Sequence, residues 1–231
     1  MPAPDLLPPV PWTRSLIVGE QVPLPATDPA DRADVVALNL VALGADDRRR
    51  LIDQVRATGA RPGAWGLPVG DLAQIAAEGV AVVGVGPDHL ALAAELAALA
   101  ASGTTLVVWD PRDPEAGLEV AQVLVAAGAN PAAVVLEVPM AGGRRADDRR
   151  EARALDALAA AGAAGLRGGV AFTSRPQADP EGVAGWEIGV CTAALQVGAV
   201  LVRGIDVRRA RRVRGVVEAL AAAARPSAVA R

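Results

Sequence analysis

The chain has 231 residues, a formal net charge of −3 and 52% hydrophobic residues, enough for one large core and without a basic excess pointing to nucleic acid. All 23 basic residues are arginine; there is no lysine or tyrosine, one histidine (His89) and one cysteine (Cys191). Schiff-base chemistry, a Walker-type phosphate loop and a His/Cys zinc site within one chain are excluded on that ground.

Residues 1–14 are proline-rich and read as an irregular lead-in, not a signal peptide, because a basic start and an apolar core are both missing. Ser15–Val18 is expected as a first strand. The proline-punctuated stretch from Gly19 to Ala33 leaves no room for a proper helix. Asp34–Leu40 is a second strand, followed by a helix over Asp46–Thr58 with Leu51, Ile52 and Val55 on its apolar face. A rhythm then sets in, in which a helix ends at glycine and an apolar strand begins. The strands are expected at Arg61–Leu67, Val80–Val85, Thr104–Trp109, Ala132–Val138, Gly169–Thr173 and Ala199–Arg203. Glycine just past a helix takes the left-handed conformation cheaply. Strands that are apolar throughout are covered on both faces, as in parallel sheets.

Eight strands, with a helix after each but the first, predict an α/β fold: a compact (β/α)8 TIM barrel with a reduced first βα unit, spanning 15–225 as one domain, with 226–231 as a tail. An open doubly wound sheet is the alternative; no G-x-G-x-x-G opens a helix after a strand, so a dinucleotide fold is unsupported. No apolar run reaches the ~18 residues that span a bilayer. One cysteine allows no internal disulfide and suits a reducing compartment. The expectation is a cytoplasmic protein with neither membrane nor nucleic-acid partners.

In such a barrel the chemistry sits at the carboxyl ends of the strands. The candidates there are Asn39, Trp65, Asp110, Glu137, Thr173, Ser174, Arg175, Arg203 and Asp206. Arg175 and Arg203 each end an apolar strand, and Asp206 caps the helix that follows. Two guanidiniums beside a helix N-terminus form an anion site; the competing reading is a structural salt bridge, with Asp206 or Glu137 pairing one of the two arginines across the rim. Glu137, at the end of its strand, is either a carboxylate that reads a ligand or a partner for an arginine. Asp110-Pro111 reads as a turn, His89 as a polar residue in a first helical turn, Cys191 as a small buried residue, and Trp186 as packing. In the last helix Val207, Ala210, Val213, Val217 and Leu220 form the inward stripe, which leaves Arg208, Arg209, Arg211, Arg212 and Arg214 on the solvated face. Asp147 to Arg153 is a charged helical start at the surface.

The stretch Phe172-Thr-Ser-Arg175, the Gly- and Ala-rich segment Gly185–Ala199, and Val200-Leu-Val-Arg-Gly-Ile-Asp-Val207 resemble the C-terminal third of dihydropteroate synthases. Ser174 and Arg175 match that family's S-R, and Arg203, Asp206 and Val207 match its R-x-x-D-V. The resemblance implies a barrel that joins a pterin pyrophosphate to p-aminobenzoate, as a dimer and with Mg2+. It also implies departures: Pro176 replaces the family's lysine, Ile205 its histidine, and Glu137 its pterin-reading aspartate. Trp65-Gly-Leu67 and Gly84-Val-Gly86 carry no counterpart of its aspartate and asparagine. The expectation is therefore a degenerate member that keeps an anion- or pterin-type pocket at Ser174, Arg175, Arg203, Asp206 and Glu137, without standard turnover. Its partners would be a small anionic or pterin-like ligand and a second copy or an intact synthase. No cofactor is evident, with Mg2+ expected only if synthase-like activity persists. The alternatives are an active transferase of folate biosynthesis with altered site residues, or an unrelated barrel enzyme acting on a phosphorylated small molecule.

Overall fold

The computed structural model describes residues 16–20, 33–41, 43–110, 113–141, 148–174 and 180–224; the lead-in, the tail and most of the link after the first strand lie outside them. The strands are β1 (Leu16–Glu20), β2 (Val35–Leu38), β3 (Arg61–Ala64), β4 (Val82–Val85), β5 (Thr105–Trp109), β6 (Val134–Ala141), β7 (Arg167–Ser174) and β8 (Ala199–Arg203). They pair in chain order into a closed barrel. β8 returns to β1 in parallel, with Leu201 beside Leu16 and Arg203 beside Val18. The barrel expected from the sequence forms, and the open sheet does not.

Helices α1 (Ala45–Ala57), α2 (Val69–Ala77), α3 (Ala93–Ala101), α4 (Pro114–Ala126), α5 (Asp148–Ala163), α6 (Pro180–Gln196) and α7 (Val207–Ala224) follow β2 to β8 in turn. Among the described residues no helix stands between β1 and β2. Local chemistry sets the boundaries. Asp113 caps α4 by accepting the Glu115 N–H at 2.9 Å ahead of Pro114, and Asp206 caps α7 by accepting the Arg209 N–H at 2.8 Å.

The strands alternate between two cores. Val35, Val82, Val107, Val135 and Leu201 pack inside the barrel, with Trp65 against them. Val83, Val85, Leu106, Val108, Leu136, Val138, Val170 and Val202 face outward under the helices. Both faces of the sheet are thus dry, which is why the strands are apolar at nearly every position.

Arg48 on α1 reaches the end of α2, where its Nε and Nη2 donate to Glu78 at 2.8 and 2.7 Å. The Arg48 hydrogen bonds hold the Glu78 carboxyl below its ordinary range, against the opposing effect of desolvation. A carboxyl whose pKa falls on folding contributes stability that is complete above its unfolded value and fades as pH drops through its folded value. Glu78→Gln is therefore expected to melt lower than wild type at pH 7, with the difference narrowing below about pH 4. Thermal melts of both proteins across that range check this; a gap that stays constant would refute the linkage.

The last helix departs from expectation. Ala210 and Val213 are buried, but Leu220 is 62% exposed and so is not part of the inward stripe. Arg214 is 2% exposed and donates to Asp34 at 2.6 Å, and Arg211 lies 3.7 Å from the same carboxylate. Arg209 donates to the fully buried Glu187 of α6. Three arginines assigned to the solvated face thus turn toward carboxylates on other elements. Hydrophobic periodicity cannot register this, because the attraction comes from residues distant in sequence.

The charged start of α5 is similarly drawn in, since Glu151 accepts the Trp186 indole N–H at 2.9 Å. The Trp186 ring meets Phe172 edge-on at 5.4 Å, so this tryptophan packs as expected.

Candidate functional site

β6 runs on to Ala141, so Glu137 stands inside the strand and not at its end. In register it lies beside Trp109 of β5 and Gly169 of β7. The Cβ that Gly169 lacks would touch Val135 and Leu201 of the interior cluster, which places this register position on the inner face. Glu137 is 1% exposed. Its charge is met by Arg203, whose Nε donates to Oε1 and Oε2 at 3.0 and 3.2 Å and whose Nη2 donates to Oε2 at 2.6 Å. Such a two-pronged, charge-assisted contact is strong and directional.

Two indoles lie close to the guanidinium. The Arg203 guanidinium carbon lies 5.4 Å from the Trp65 ring centroid and 5.1 Å from that of Trp109, within cation–π range of both. Trp65 can lie there because β3 and β4 carry glycine beneath it. A Cβ at Gly63 or at Gly84 would each come within 2.5 Å of its ring. The segments that lack the family's aspartate and asparagine therefore supply a tryptophan and a glycine that seats it. Trp109 had drawn no attention as a site residue; its position directly before Asp110, at the carboxyl end of β5, was the available signal.

Of the predicted site residues, Glu137 and Arg203 come together at the carboxyl end of the barrel. This is the ion pair that the sequence left open as one of two readings. Asp206 is exposed and serves α7 as its cap. Ser174 is the last residue of β7; its side chain and Arg175 lie outside the described residues, and with them the convergence of Arg175 on Arg203. Asn39 is exposed. Asp110 accepts the Asp113 N–H at 3.2 Å, and the Pro111–Arg112 stretch expected to turn between them lies outside the described residues.

His89 is buried, with both ring nitrogens engaged: Nδ1 accepts the Gly86 N–H at 3.1 Å, so Nε2 donates to the Leu67 carbonyl at 2.9 Å. That fixes the turn after β4 and commits both ring nitrogens to backbone partners. Cys191 is fully buried; desolvation, and then the nearby Glu187 charge, push its thiol up to about 12. A thiol reagent is expected to leave Cys191 unlabelled in the folded protein and to label it fully in denaturant. Rapid labelling of the native protein would contradict its place in the core.

At the other end of the barrel, β3 and β7 open with Arg61 and Arg167. Burial lowers the pKa of both, to about 10 for Arg167, so they stay charged at neutral pH. Among the described residues no helix is long and apolar enough to cross a membrane.

A closed parallel barrel of eight strands, each of β2 to β8 followed by a helix, defines the (β/α)8 class of α/β proteins. Solved structures narrow the fold further. The chain is similar to Mycobacterium tuberculosis Rv1207, at 18% identity over 93% of this chain and 94% of that one, with a TM-score of 0.64. It is similar to the dihydropteroate synthase of Coxiella burnetii in complex with pteroic acid, at 14% identity over 93% and 96% of the two chains, with a TM-score of 0.64. A third similar structure is the dihydropteroate synthase of Thermus thermophilus in complex with 4-aminobenzoate, at 19% identity, 91% and 96% coverage and a TM-score of 0.61. The chain thus has the dihydropteroate synthase fold. No family model and no curated protein matches its sequence.

Proposed function

We propose that this chain is a dihydropteroate synthase-like barrel that does not run the standard synthase reaction and keeps at its mouth a site for a small pterin-like or anionic ligand. The observation that carries the reading is the commitment of Arg203 to Glu137, with two indoles within cation–π range of its guanidinium. In the standard reaction the amine nitrogen of p-aminobenzoate bonds to the pterin methylene carbon as its bond to pyrophosphate breaks. The departing pyrophosphate gathers negative charge, which needs cationic donors whose charge is not already balanced. Arg203 is balanced by Glu137, the chain has no lysine, and Pro176 and Ile205 stand where the family carries Lys and His.

Ser174, Arg175 and Asp206 complete the proposed rim of the pocket. Among the described residues no three His, Cys, Asp or Glu side chains cluster as metal ligands, and both oxygens of Glu137 already accept from Arg203. A second copy of the chain, or an intact synthase, is the proposed protein partner.

Incubation with pterin pyrophosphate and p-aminobenzoate is expected to give no pteroate above the protein-free rate. Calorimetry with pterin and with pyrophosphate is expected to detect binding of at least one. Turnover would favour the active-transferase reading, with Glu137 orienting the pterin and Arg203 stabilising the leaving group. Absence of binding by either compound would remove the ligand site.

A further inference from the structure

We infer that the amino end of the barrel, opposite the mouth, is a second binding site, in which Arg61 and Arg167 take a phosphate-type oxyanion between them. The inference is independent of the reading of the mouth. Strand register places the two arginines. Val35, Val82, Val135 and Leu201 of the interior cluster come from β2, β4, β6 and β8, one layer of the kind that fills such barrels. On the odd strands β3, β5 and β7, two positions register with that layer. Gly63, Val107 and Gly169 pair with Val82, Val135 and Leu201. Arg61, Thr105 and Arg167 pair with Val35, Val82 and Val135. The second set comes two residues earlier on each strand, so it shares the inner face and lies nearer the amino end. Arg61, Thr105 and Arg167 therefore belong to the floor of the barrel. β3 and β7 stand four apart in a closed ring of eight, which puts the two arginines on opposite walls with Thr105 midway between.

Branched aliphatic residues dominate such layers; here two guanidiniums put like charges into a partly dry space. Both arginines are half-buried, Thr105 is buried, and both arginines keep their charge at neutral pH. Asp34, just before β2, acts on Arg61, but it also accepts from Arg214 at 2.6 Å and lies 3.7 Å from Arg211. One carboxylate thus serves three guanidiniums. Arg61 and Arg167 have partners within the chain, yet a guanidinium carries more N–H donors than one partner takes. Nη1 of Arg167 is buried with no acceptor among the described residues, a costly state for a donor. Water satisfies a donor and leaves the charge. A tetrahedral dianion answers both, offering oxygens to either wall at once, and arginine forks match phosphate in two-pronged geometry.

The test titrates inorganic phosphate into the full chain by calorimetry and follows the melting temperature in phosphate and in chloride at equal ionic strength. Wild type is compared with Arg61→Gln, Arg167→Gln and Arg175→Ala; the last alters the ligand site proposed above and controls for phosphate taken there. Phosphate is expected to bind wild type and Arg175→Ala, and to bind each glutamine variant about tenfold or more weakly, because each loses a charged hydrogen-bond partner. The wild-type melting temperature should rise in phosphate relative to chloride, and the rise should shrink in both glutamine variants. Arg167→Lys keeps the charge without the fork, so it preserves the fold where glutamine does not and should bind more weakly than wild type. The floor site is overturned if wild type binds no phosphate, or if only one of the two glutamine variants loses affinity. Undiminished affinity in Arg167→Lys overturns it as well, as does loss in Arg175→Ala with both glutamine variants unaffected.

Discussion

Arg203→Ala is expected to lower the unfolding free energy by about 3–5 kcal/mol, one of the two largest losses anticipated for a single substitution in this protein. The substitution leaves the Glu137 carboxylate, 1% exposed, without the guanidinium that compensates it. The loss comes mainly from the stranded charge and less from the broken contact. For a chain of this size it corresponds to a fall in melting temperature of about 6–20 °C. Replacing both partners by apolar residues of similar bulk, Glu137→Leu with Arg203→Met, should recover most of the loss, because it removes the buried charge altogether. Urea unfolding of Glu137→Leu, Arg203→Met and the double variant completes the cycle. If the double variant loses as much as the two single variants together, the pair is not coupled and does not hold the barrel mouth together.

Gly204→Ala is expected to be comparably severe for a different reason. Gly204 follows Arg203 directly and sits at φ 79, in the left-handed region. There a side chain costs about 1–2 kcal/mol by itself. A Cβ at this position would also run into the Phe172 carbonyl oxygen and lie 3.3 Å from the Phe172 nitrogen. Both are backbone atoms of β7, built into the barrel wall, and cannot swing aside like the tip of a side chain. Either the turn after β8 or strand β7 must shift, and Arg203 shifts with it. A total loss of about 3 kcal/mol or more follows, with a change in the tryptophan fluorescence of the mouth. Near-wild-type stability of Gly204→Ala would mean that the turn has freedom the packing denies it.

The two substitutions differ in how far their targets could be read from the chain. Gly204 is an unremarkable letter between an apolar run and a helix cap, and its close approach to Phe172 arises only once β7 and β8 lie side by side. Arg203 stood out at the end of an apolar strand, and Glu137 as a lone charge among aliphatic residues. Their pairing was one of two possibilities, because sequence spacing carries no distance across 66 residues. Glu187 and Asp34 went unnoticed as anchors for the arginines of α7, since each is an ordinary acidic residue until a guanidinium from another element meets it.

Composition and periodicity alone were enough for the barrel: uniformly apolar strands, helix-ending glycines and acidic caps are short-range signals that fold the chain into repeating units. Which charge faces which was settled only by closure of the sheet. Closure brings β3, β5, β6 and β8 around one opening and sets a glutamate, an arginine and two tryptophans there in contact. Electrostatic pairing and cation–π attraction act over a few ångströms, and those ångströms exist only after the far-apart strands have met.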